Sequence, residues 1–258
     1  MKLYPCEQGS ADWHRLRAGV ITASMFSTAR KRVGELDERQ QLYVAAVRAG
    51  ADPKQAANDA GYKVAPRSSI IERALRGEPV GDYSEEAKGY AFRLAIERIS
   101  GQPLDEGFET YAMRRGHELE PFARAEHEVQ SGLIVQRAGF VLSDCGKFGC
   151  SADGLISSDG GSEYKCFLNP EKLRTFHVDN DASEVFEQAQ GCMWITGRQW
   201  WHIGLFCPAL ASVGKQLWWR RFERDEAFID SLRTDLMQFS QMVDRYEAGL
   251  REPMKVAA

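Results

Sequence analysis

The feature that most constrains the fold of this chain is a set of charged residues inside apolar, strand-like segments. Three consecutive segments with short hydrophobic periods are predicted to be strands joined by tight turns: residues 133–144, 147–157 and 162–168. The second segment carries Asp153, and the third carries Glu163 and Lys165. Ionised side chains inside such apolar strands need a compensating partner. The three groups are therefore expected to lie together.

Strand geometry indicates how these groups meet. Side chains alternate along a strand, so Glu163 and Lys165 point to one face and Tyr164 points to the other. A hairpin between the second and third strands places Asp153 near the middle of its strand, beside Glu163. Two adjacent carboxylates repel each other unless they share a proton or bind a cation, and such an oxygen-rich site suits Mg²⁺ or Mn²⁺. The pattern on its own also fits a solvated hairpin with a surface Glu–Lys pair.

The rest of the chain is predicted to surround these strands with helices. Four amphipathic or capped segments are predicted helices: residues 84–100, 110–131, 185–196 and 225–249. Two further strands are predicted over residues 200–207 and 216–222. This order indicates an α/β fold in which a mixed central sheet is flanked by helices.

Residues 35–80 differ in character from their surroundings. Within them, residues 42–61 contain two helix-like pieces around the turn Gly50–Pro53, which is the layout of a helix-turn-helix. The motif resembles the small DNA-binding motif of phage small-terminase subunits. We expect a helical insertion, helix-turn-helix-like, within a single domain that spans residues 1–258. Two short helices that only pack on the main domain are the alternative.

Composition excludes several classes of protein. The chain has 33 Lys and Arg against 37 Asp and Glu, a net charge of −4, which excludes a uniformly basic nucleic-acid coat but not an enzyme with a local basic patch. No apolar run approaches the roughly 18–20 residues of a membrane helix. The first 18 residues carry charges throughout and lack the apolar core of a secretion signal. We therefore expect a cytoplasmic protein without a membrane association.

Four separated segments of the sequence form a recognisable set: residues 13–24 (WHRLRAGVITAS), 115–120 (RGHELE), 151–154 (SADG) with 163–165 (EYK), and 188–196 (QAQGCMWIT). In this order they resemble the PD-(D/E)xK nucleases, and within them the family of bacteriophage lambda exonuclease and the YqaJ-type viral recombinases. The first and last segments are the most specific for that family, whereas the acid-acid-lysine pattern occurs more widely. Ala152 stands where the superfamily signature has proline.

The resemblance implies a restriction-endonuclease-like fold and a Mg²⁺-dependent 5′→3′ exonuclease on double-stranded DNA, with Mn²⁺ as a substitute cation. Resection of DNA ends would leave 3′ overhangs for a single-strand annealing protein in phage-type recombination. The relatives form a toroidal trimer around DNA, which implies a homo-oligomer here. They also imply a phage- or prophage-encoded protein in the cytoplasm of a bacterial host.

The resemblance also implies catalytic roles for matching residues. Asp153 and Glu163 resemble the metal-binding carboxylates, with the backbone carbonyl of Tyr164 as a further ligand. Lys165 resembles the catalytic lysine. Glu120 resembles an additional acid that positions the metal or the attacking water.

The remaining roles concern the substrate. Gln188 resembles a catalytic residue that helps to hold the water or the scissile phosphate. Arg17, Ser24 and Ser151 resemble the residues that bind the 5′-terminal phosphate, and a guanidinium with hydroxyl donors suits a phosphate. Glu118 is a weaker alternative to Glu120, two residues away on the same helix.

Two other functions stay open at the level of sequence. One is a PD-(D/E)xK endonuclease, or a repair or defence nuclease of different polarity. The other is a non-catalytic DNA-binding adaptor whose working part is the helix-turn-helix-like insertion.

Overall fold

The computed structural model describes residues 1–78, 80–104, 111–166 and 169–253, with all side chains in these ranges except those of Ala112 and Met113. The chain divides into two compact units. One consists of Met1–Ala29 with Tyr90–Ala258, and the other consists of Arg30–Gly89. The first unit, called the sheet unit below, contains the predicted strands. The second, called the helical unit, contains the whole of residues 35–80, the segment predicted as an insertion.

The strands of the described chain are β1 (Lys2–Tyr4), β2 (Ile21–Thr22), β3 (Arg32–Val33), β4 (Asp82–Tyr83), β5 (Val135–Gln136), β6 (Phe140–Leu142), β7 (Phe148–Cys150), β8 (Gly154–Ile156), β9 (Gly160–Lys165), β10 (Trp200–Phe206) and β11 (Leu217–Glu223). The α-helices are α1 (Ala11–Arg17), α2 (Phe26–Arg30), α3 (Glu38–Arg48), α4 (Pro53–Asp59), α5 (Ser69–Leu75), α6 (Glu85–Ser100), α7 (Tyr111–Ser131), α8 (Pro170–His177), α9 (Ser183–Thr196) and α10 (Glu226–Arg251). Short 3₁₀ helices occupy Ala23–Met25 and Pro208–Val213.

Two sheets form the sheet unit. The larger has the strand order β11-β10-β9-β8-β5, and only its β9–β10 pair is parallel. The smaller has the order β1-β6-β7-β2, and its β2–β7 pair is parallel. Helix α7 packs against β9, β10 and β11, while α9 packs against β10 and β7. The predicted α/β class with mixed sheets flanked by helices is confirmed.

The first two of the three consecutive predicted strands are each divided in the structure, and this division determines where Asp153 lies. Segment 133–144 is divided into β5 and β6, and segment 147–157 is divided into β7 and β8. In each case one half pairs in the larger sheet and the other half in the smaller sheet. Residues that bend from one sheet to the other leave the hydrogen-bond ladder at the bend. Asp153 therefore lies in the break between β7 and β8, and the prediction that it sits mid-strand is wrong.

Strand β9 depends on two glycines that were predicted to belong to a turn. Gly160 and Gly161 are the first residues of β9 and pair with Trp200 and Trp201 of β10. A Cβ on Gly161 would lie 2.2 Å from a ring carbon of Trp201, which is buried completely. Only glycine allows the indole to pack this close to the strand. The third predicted strand thus begins earlier than expected, and its last two residues, 167 and 168, lie outside the described residues.

The predicted helices are confirmed with small shifts of their ends. Predicted helix 84–100 is α6, and 110–131 is α7, although Thr110 lies outside the described residues. Ser10 caps α1, because its hydroxyl accepts the backbone N–H of Trp13 at 3.2 Å. Pro121 lies inside α7 and removes one of the helix's backbone hydrogen bonds.

The helical unit has a hydrophobic core of its own. Residues from α3, α4 and α5 make up this core: Tyr43, Val44, Ala56, Ala57, Ala60, Ile71 and Ala74. Side chains of Asp37, Asp52 and Ser68 cap the three helices. The two predicted pieces correspond to α3 and α4, while α5 was not predicted. The domain boundaries and a DNA-binding role for this unit stay predictions.

Within the described residues, no helix combines the length and the apolar character that crossing a lipid bilayer requires.

Candidate active site

One pocket of about 370 Å³ in the sheet unit gathers every predicted site residue. Its lining includes Arg17, Ser24, Glu120, Ser151, Asp153, Glu163, Tyr164, Lys165 and Gln188. These residues come from the start, middle and end of the family-like segments, more than 170 positions apart in the extreme case of Arg17 and Gln188. The fold thus brings the predicted residues together, while their roles stay predictions.

Asp153 is held in this pocket by β9. Its Oδ2 accepts the backbone N–H of Tyr164 at 2.7 Å, and its side chain is almost fully buried. Burial, together with the negative charges of Glu163 and Glu120, raises the pKa of Asp153 well above its ordinary value. The predicted repulsion between carboxylates is therefore present.

Lys165 is fixed between two polar side chains. Its Nζ lies 3.0 Å from Glu163 Oε1 and donates to Gln188 Oε1 at 2.9 Å. The amide of Gln188 also donates to Glu163 Oε1 at 2.8 Å. Burial lowers the pKa of Lys165, but the charges of Glu163 and Asp153 outweigh this effect and raise the pKa overall. Lys165 is thus a cationic donor at neutral pH, which favours an orienting role over proton abstraction.

The donor set fits a divalent cation. Glu163 Oε2 is buried and has no hydrogen-bond partner in the part of the chain that the structure describes. An unsatisfied carboxylate oxygen beside a second buried carboxylate is what an oxygen-liganded cation would satisfy. Among the described residues, no three His, Cys, Asp or Glu side chains already form a ready-made ligand cluster. The predicted metal-binding set consists of Asp153, Glu163, the Tyr164 backbone carbonyl and Glu120, and it stays a prediction.

The position of Glu120 distinguishes it from its neighbour. Glu120 lines the pocket, half-buried, and forms an ion pair with Arg124 one helical turn later. Glu118 is exposed and does not line the pocket. Of the two acids, Glu120 is the one that α7 presents to Asp153.

Arg17 forms a separate corner of the same pocket. Its Nη1 donates to Ser151 Oγ at 2.8 Å, and its guanidinium lies 4.1 Å from the centre of the Trp13 ring. Burial lowers the pKa of Arg17, but an arginine remains cationic in proteins. Ser24 lines the pocket from the 3₁₀ turn that precedes α2. The corner thus offers a half-buried positive charge with the hydroxyl groups of Ser24 and Ser151 in the same pocket.

Comparison with known families identifies the chain. A family model described as the YqaJ-like viral recombinase domain matches residues 12–199. The chain belongs to this family.

Three solved structures have a fold similar to that of this chain. An alkaline exonuclease (LHK-Exo) from Laribacter hongkongensis has a TM-score of 0.67 and 24% identity over 96% of this chain and 100% of its own. LHK-Exo in complex with dAMP has a TM-score of 0.65 and 24% identity over 93% of this chain and 94% of its own. A phage related exonuclease from Haemophilus somnus 129PT has a TM-score of 0.53 and 18% identity over 72% of this chain and 90% of its own. No curated protein sequence matches the chain. The restriction-endonuclease-like fold of this YqaJ-like domain is thereby confirmed.

Trp13 and Gln8 are among the pocket residues of this YqaJ-like domain that were not predicted as site residues. Trp13 donates its indole N–H to Ser151 Oγ at 2.9 Å, so it orients the same hydroxyl that Arg17 contacts. Its position one helical turn before Arg17 was the available signal. Gln8 donates to the Ala152 carbonyl at 3.0 Å and approaches Asp153 Oδ1 at 3.4 Å. No local pattern marks Gln8, because only the tertiary fold brings the N-terminal segment to the break between β7 and β8.

Proposed function

We propose that this YqaJ-like protein is a Mg²⁺-dependent 5′→3′ exonuclease on double-stranded DNA, a metal-dependent deoxyribonuclease. The observation that carries the proposal is one pocket lined by three carboxylates, those of Asp153, Glu163 and Glu120, together with a cationic lysine and a half-buried arginine. The solved structures with a similar fold are named as exonucleases, and one of them is a complex with dAMP. That complex supports a nucleotide product.

The acidic side of the pocket is proposed to hold the cation. Asp153 and Glu163 would bind Mg²⁺, or Mn²⁺ in its place, through their carboxylates, with the Tyr164 carbonyl as a further ligand and Glu120 close by. A bound divalent cation supplies Lewis acidity and positive charge at the scissile phosphate. The backbone N–H of Tyr164 keeps Asp153 oriented towards that position.

The lysine and the glutamine are proposed to orient the reacting groups. An ammonium group has three donors, and Lys165 uses two of them on Glu163 and Gln188. The third is available for a phosphate oxygen or for the attacking water. A fixed positive charge in a buried pocket stabilises negative charge that develops on the phosphate.

The arginine corner is proposed to set the polarity of digestion. Arg17, with Ser24 and Ser151, would bind the 5′-terminal phosphate by charge-assisted hydrogen bonds. Because this corner shares its pocket with the acidic residues, the bond cleaved is one close to the 5′ end. Digestion then proceeds from 5′ to 3′ and leaves a 3′ overhang.

The decisive experiment compares linear duplexes labelled at the 5′ or the 3′ end, with 5′-phosphate or 5′-hydroxyl termini, in Mg²⁺ or in chelator. We expect wild type to need Mg²⁺ and to prefer 5′-phosphorylated ends. Arg17→Ala should reduce that preference about 10- to 100-fold, the worth of one or two charge-assisted bonds. Arg15→Ala is the matched control, since Arg15 lies on the same helix but is exposed and paired with Asp12. Digestion from the 3′ end, activity in chelator, or an unchanged preference in Arg17→Ala would contradict the proposal.

We also propose the biological setting that the family resemblance implies. The 3′ overhang would be passed to a single-strand annealing protein, and the nuclease would act as a homo-oligomer, a toroidal trimer around DNA. A phage or prophage gene expressed in the bacterial cytoplasm fits this role. Light scattering of the purified protein tests the oligomer, and a monomer at micromolar concentration would exclude the ring.

A further inference from the structure

Behind strand β9, three buried polar side chains form a hydrogen-bonded chain. The hydroxyl of Tyr164 lies 2.8 Å from His127 Nδ1, and His127 Nε2 lies 2.9 Å from His202 Nδ1. Their exposed fractions are 7% for Tyr164, 0% for His127 and 3% for His202. The ring of Trp219 covers both imidazoles, with centroid distances of 5.3 Å and 4.7 Å. The chain joins three elements, β9, α7 and β10, on the sheet face opposite Glu163 and Lys165.

Both imidazoles are neutral at neutral pH. Burial lowers the pKa of His127 to about 4 and that of His202 to about 3. A neutral imidazole has one donor and one acceptor nitrogen, so the two bonds of His127 satisfy it completely. Such fully satisfied buried networks fix one arrangement of the elements that they join.

Tyr164, at one end of this series of hydrogen bonds, also lines the pocket. The peptide N–H of Tyr164 holds Asp153, and its carbonyl is the proposed metal ligand. The side chain that anchors this peptide points away from the pocket and ends on His127. Any shift of the Tyr164 ring is therefore passed to the peptide on the other face of the strand.

The hydrogen-bond partner of Tyr164, His127, lies on α7, the helix that also carries Glu120. His127 follows Glu120 by seven residues, which places it about 10 Å further along α7 and on nearly the same side. Leu119 and Ala123 of α7 pack on the sheet through non-directional apolar contacts. Because the alanine side chain is small, it does little to prevent α7 from shifting along the sheet. Pro121 also weakens the helix beside Glu120. The hydrogen bond between His127 and Tyr164 is directional, so it fixes the position of α7 along β9, which the apolar contacts do not.

We propose that His127 and Tyr164 are positioning residues, whose hydrogen bond sets α7 on β9 and so holds Glu120 and the Tyr164 peptide in place for a divalent cation. The inference rests on the proposed function, and it adds to it a pair of residues on the far side of the sheet. His127 does not line the pocket, and the Tyr164 side chain points to the face of β9 opposite Glu163 and Lys165.

The test measures Mn²⁺ binding to the DNA-free protein by titration calorimetry. Tyr164→Phe removes only the hydroxyl. We expect it to weaken Mn²⁺ binding about tenfold or more, the usual effect of losing a residue that orients a metal ligand. His127→Gln, which moves the amide away from the Nδ1 position, should weaken binding to a similar degree.

Two further variants separate positioning from general stability. His127→Asn keeps a hydrogen-bonding side-chain atom near the Nδ1 position, so we expect it to avoid the roughly tenfold loss of Mn²⁺ binding that the other two variants show. Thr196→Val is the matched control, because it removes another buried bond of the sheet unit, from the hydroxyl to the Cys192 carbonyl at 2.7 Å. It should lower the melting temperature and leave Mn²⁺ binding unchanged.

The outcomes distinguish the inference from the proposed function. If Tyr164→Phe melts earlier but binds Mn²⁺ as wild type does, the inference is wrong and the proposed function survives. Should Tyr164→Phe fail to fold, the same comparison is made between His127→Gln and His127→Asn, and equal binding by those two overturns the inference. If wild type and Asp153→Asn bind Mn²⁺ alike, the proposed metal site is wrong and the inference falls with it.

Discussion

At the scale of single residues, Asp153 shows that the metal-free site contains unfavourable electrostatic interactions. It is buried beside Glu163 and Glu120, and these surroundings raise its pKa. A raised carboxyl pKa means that the stability Asp153 contributes at low pH is lost as the pH rises through the folded-state pKa. At neutral pH the metal-free site therefore contains a repulsion that a cation or a neutral side chain relieves.

Asp153→Asn is expected to stabilise the metal-free protein at pH 7.5. Asparagine has the same shape and can still accept the backbone N–H of Tyr164, but it carries no charge. Its melting temperature should exceed that of wild type, by about 2–4 °C for each 1 kcal/mol of repulsion removed. Adding Mn²⁺ should raise the melting temperature of wild type and not that of the variant.

Calorimetric or fluorescence melts with and without Mn²⁺ make this measurement. Asp12→Asn is the matched control, because Asp12 is exposed on α1 and paired with Arg15. A metal-free Asp153→Asn protein that melts below wild type, or equal stabilisation of both by Mn²⁺, would show that Asp153 is not a strained metal ligand.

At the scale of elements, α7 connects the two faces of the larger sheet. Glu120 lines the pocket, whereas His127 and Ala123 contact the side chain of Tyr164 or pack with it. Residues 120 and 127 lie on nearly the same side of the helix but about 10 Å apart along it, so one helix carries both a pocket residue and a residue that contacts Tyr164. The cost of this arrangement is a pair of imidazoles buried away from water.

The histidine pair predicts how stability depends on pH. Because the folded-state pKa values of about 4 and 3 lie below the ordinary 6.5, the unfolded chain binds more protons than the folded protein below pH 6.5. Stability from this pair is complete above pH 6.5 and falls as the pH drops towards 4 and then 3. Glu128 raises the pKa of His127 slightly, while Arg221 lowers that of His202 further.

His127→Asn should reduce this loss of stability. Between pH 7.5 and pH 5, wild type should lose about 2 kcal/mol more unfolding free energy than the variant, because one buried imidazole with a pKa of about 4 is removed. Urea unfolding at both pH values measures the difference. Equal losses in the two proteins would mean that His127 is protonated in the folded state at pH 5.

At the scale of the whole molecule, the chain consists of two units with different kinds of core. The sheet unit buries large aromatic side chains such as Phe26, Phe140 and Trp201. The helical unit buries mainly alanines, with Tyr43 and Ile71 as its larger members. Its core residues and all three helix caps come from within residues 30–89.

Residues 30–89 are expected to fold when expressed alone, although at about 60 residues the unit is close to the lower size limit for a stable domain. We expect a helical circular dichroism spectrum and a cooperative thermal transition, which Ile71→Ala should lower or abolish by leaving a cavity in the core. Leu42→Ala is the matched control, since Leu42 is 62% exposed. A spectrum without helix would show that the unit depends on the rest of the chain.

The sequence by itself determined most of the helices and strands, and it predicted which residues line the pocket. Helices α6, α7, α9 and α10 follow from hydrophobic period and caps, which are local properties. Glu163 and Lys165 were predicted to share a face of β9 because alternation along a strand is also local, and their 3.0 Å contact confirms it. Arg17, Glu120 and Gln188 were predicted from segments whose residue types resemble one family.

Only the tertiary structure decided how these parts meet. The break between β7 and β8 that holds Asp153 exists because one segment crosses between two sheets, and no local pattern encodes that crossing. The contacts of Gln8 with the Asp153 loop and of His127 with Tyr164 and His202 join residues 37 to 145 positions apart. Such contacts depend on where whole elements pack, because a hydrogen bond needs its two atoms within about 3 Å and sequence period fixes position only within one element.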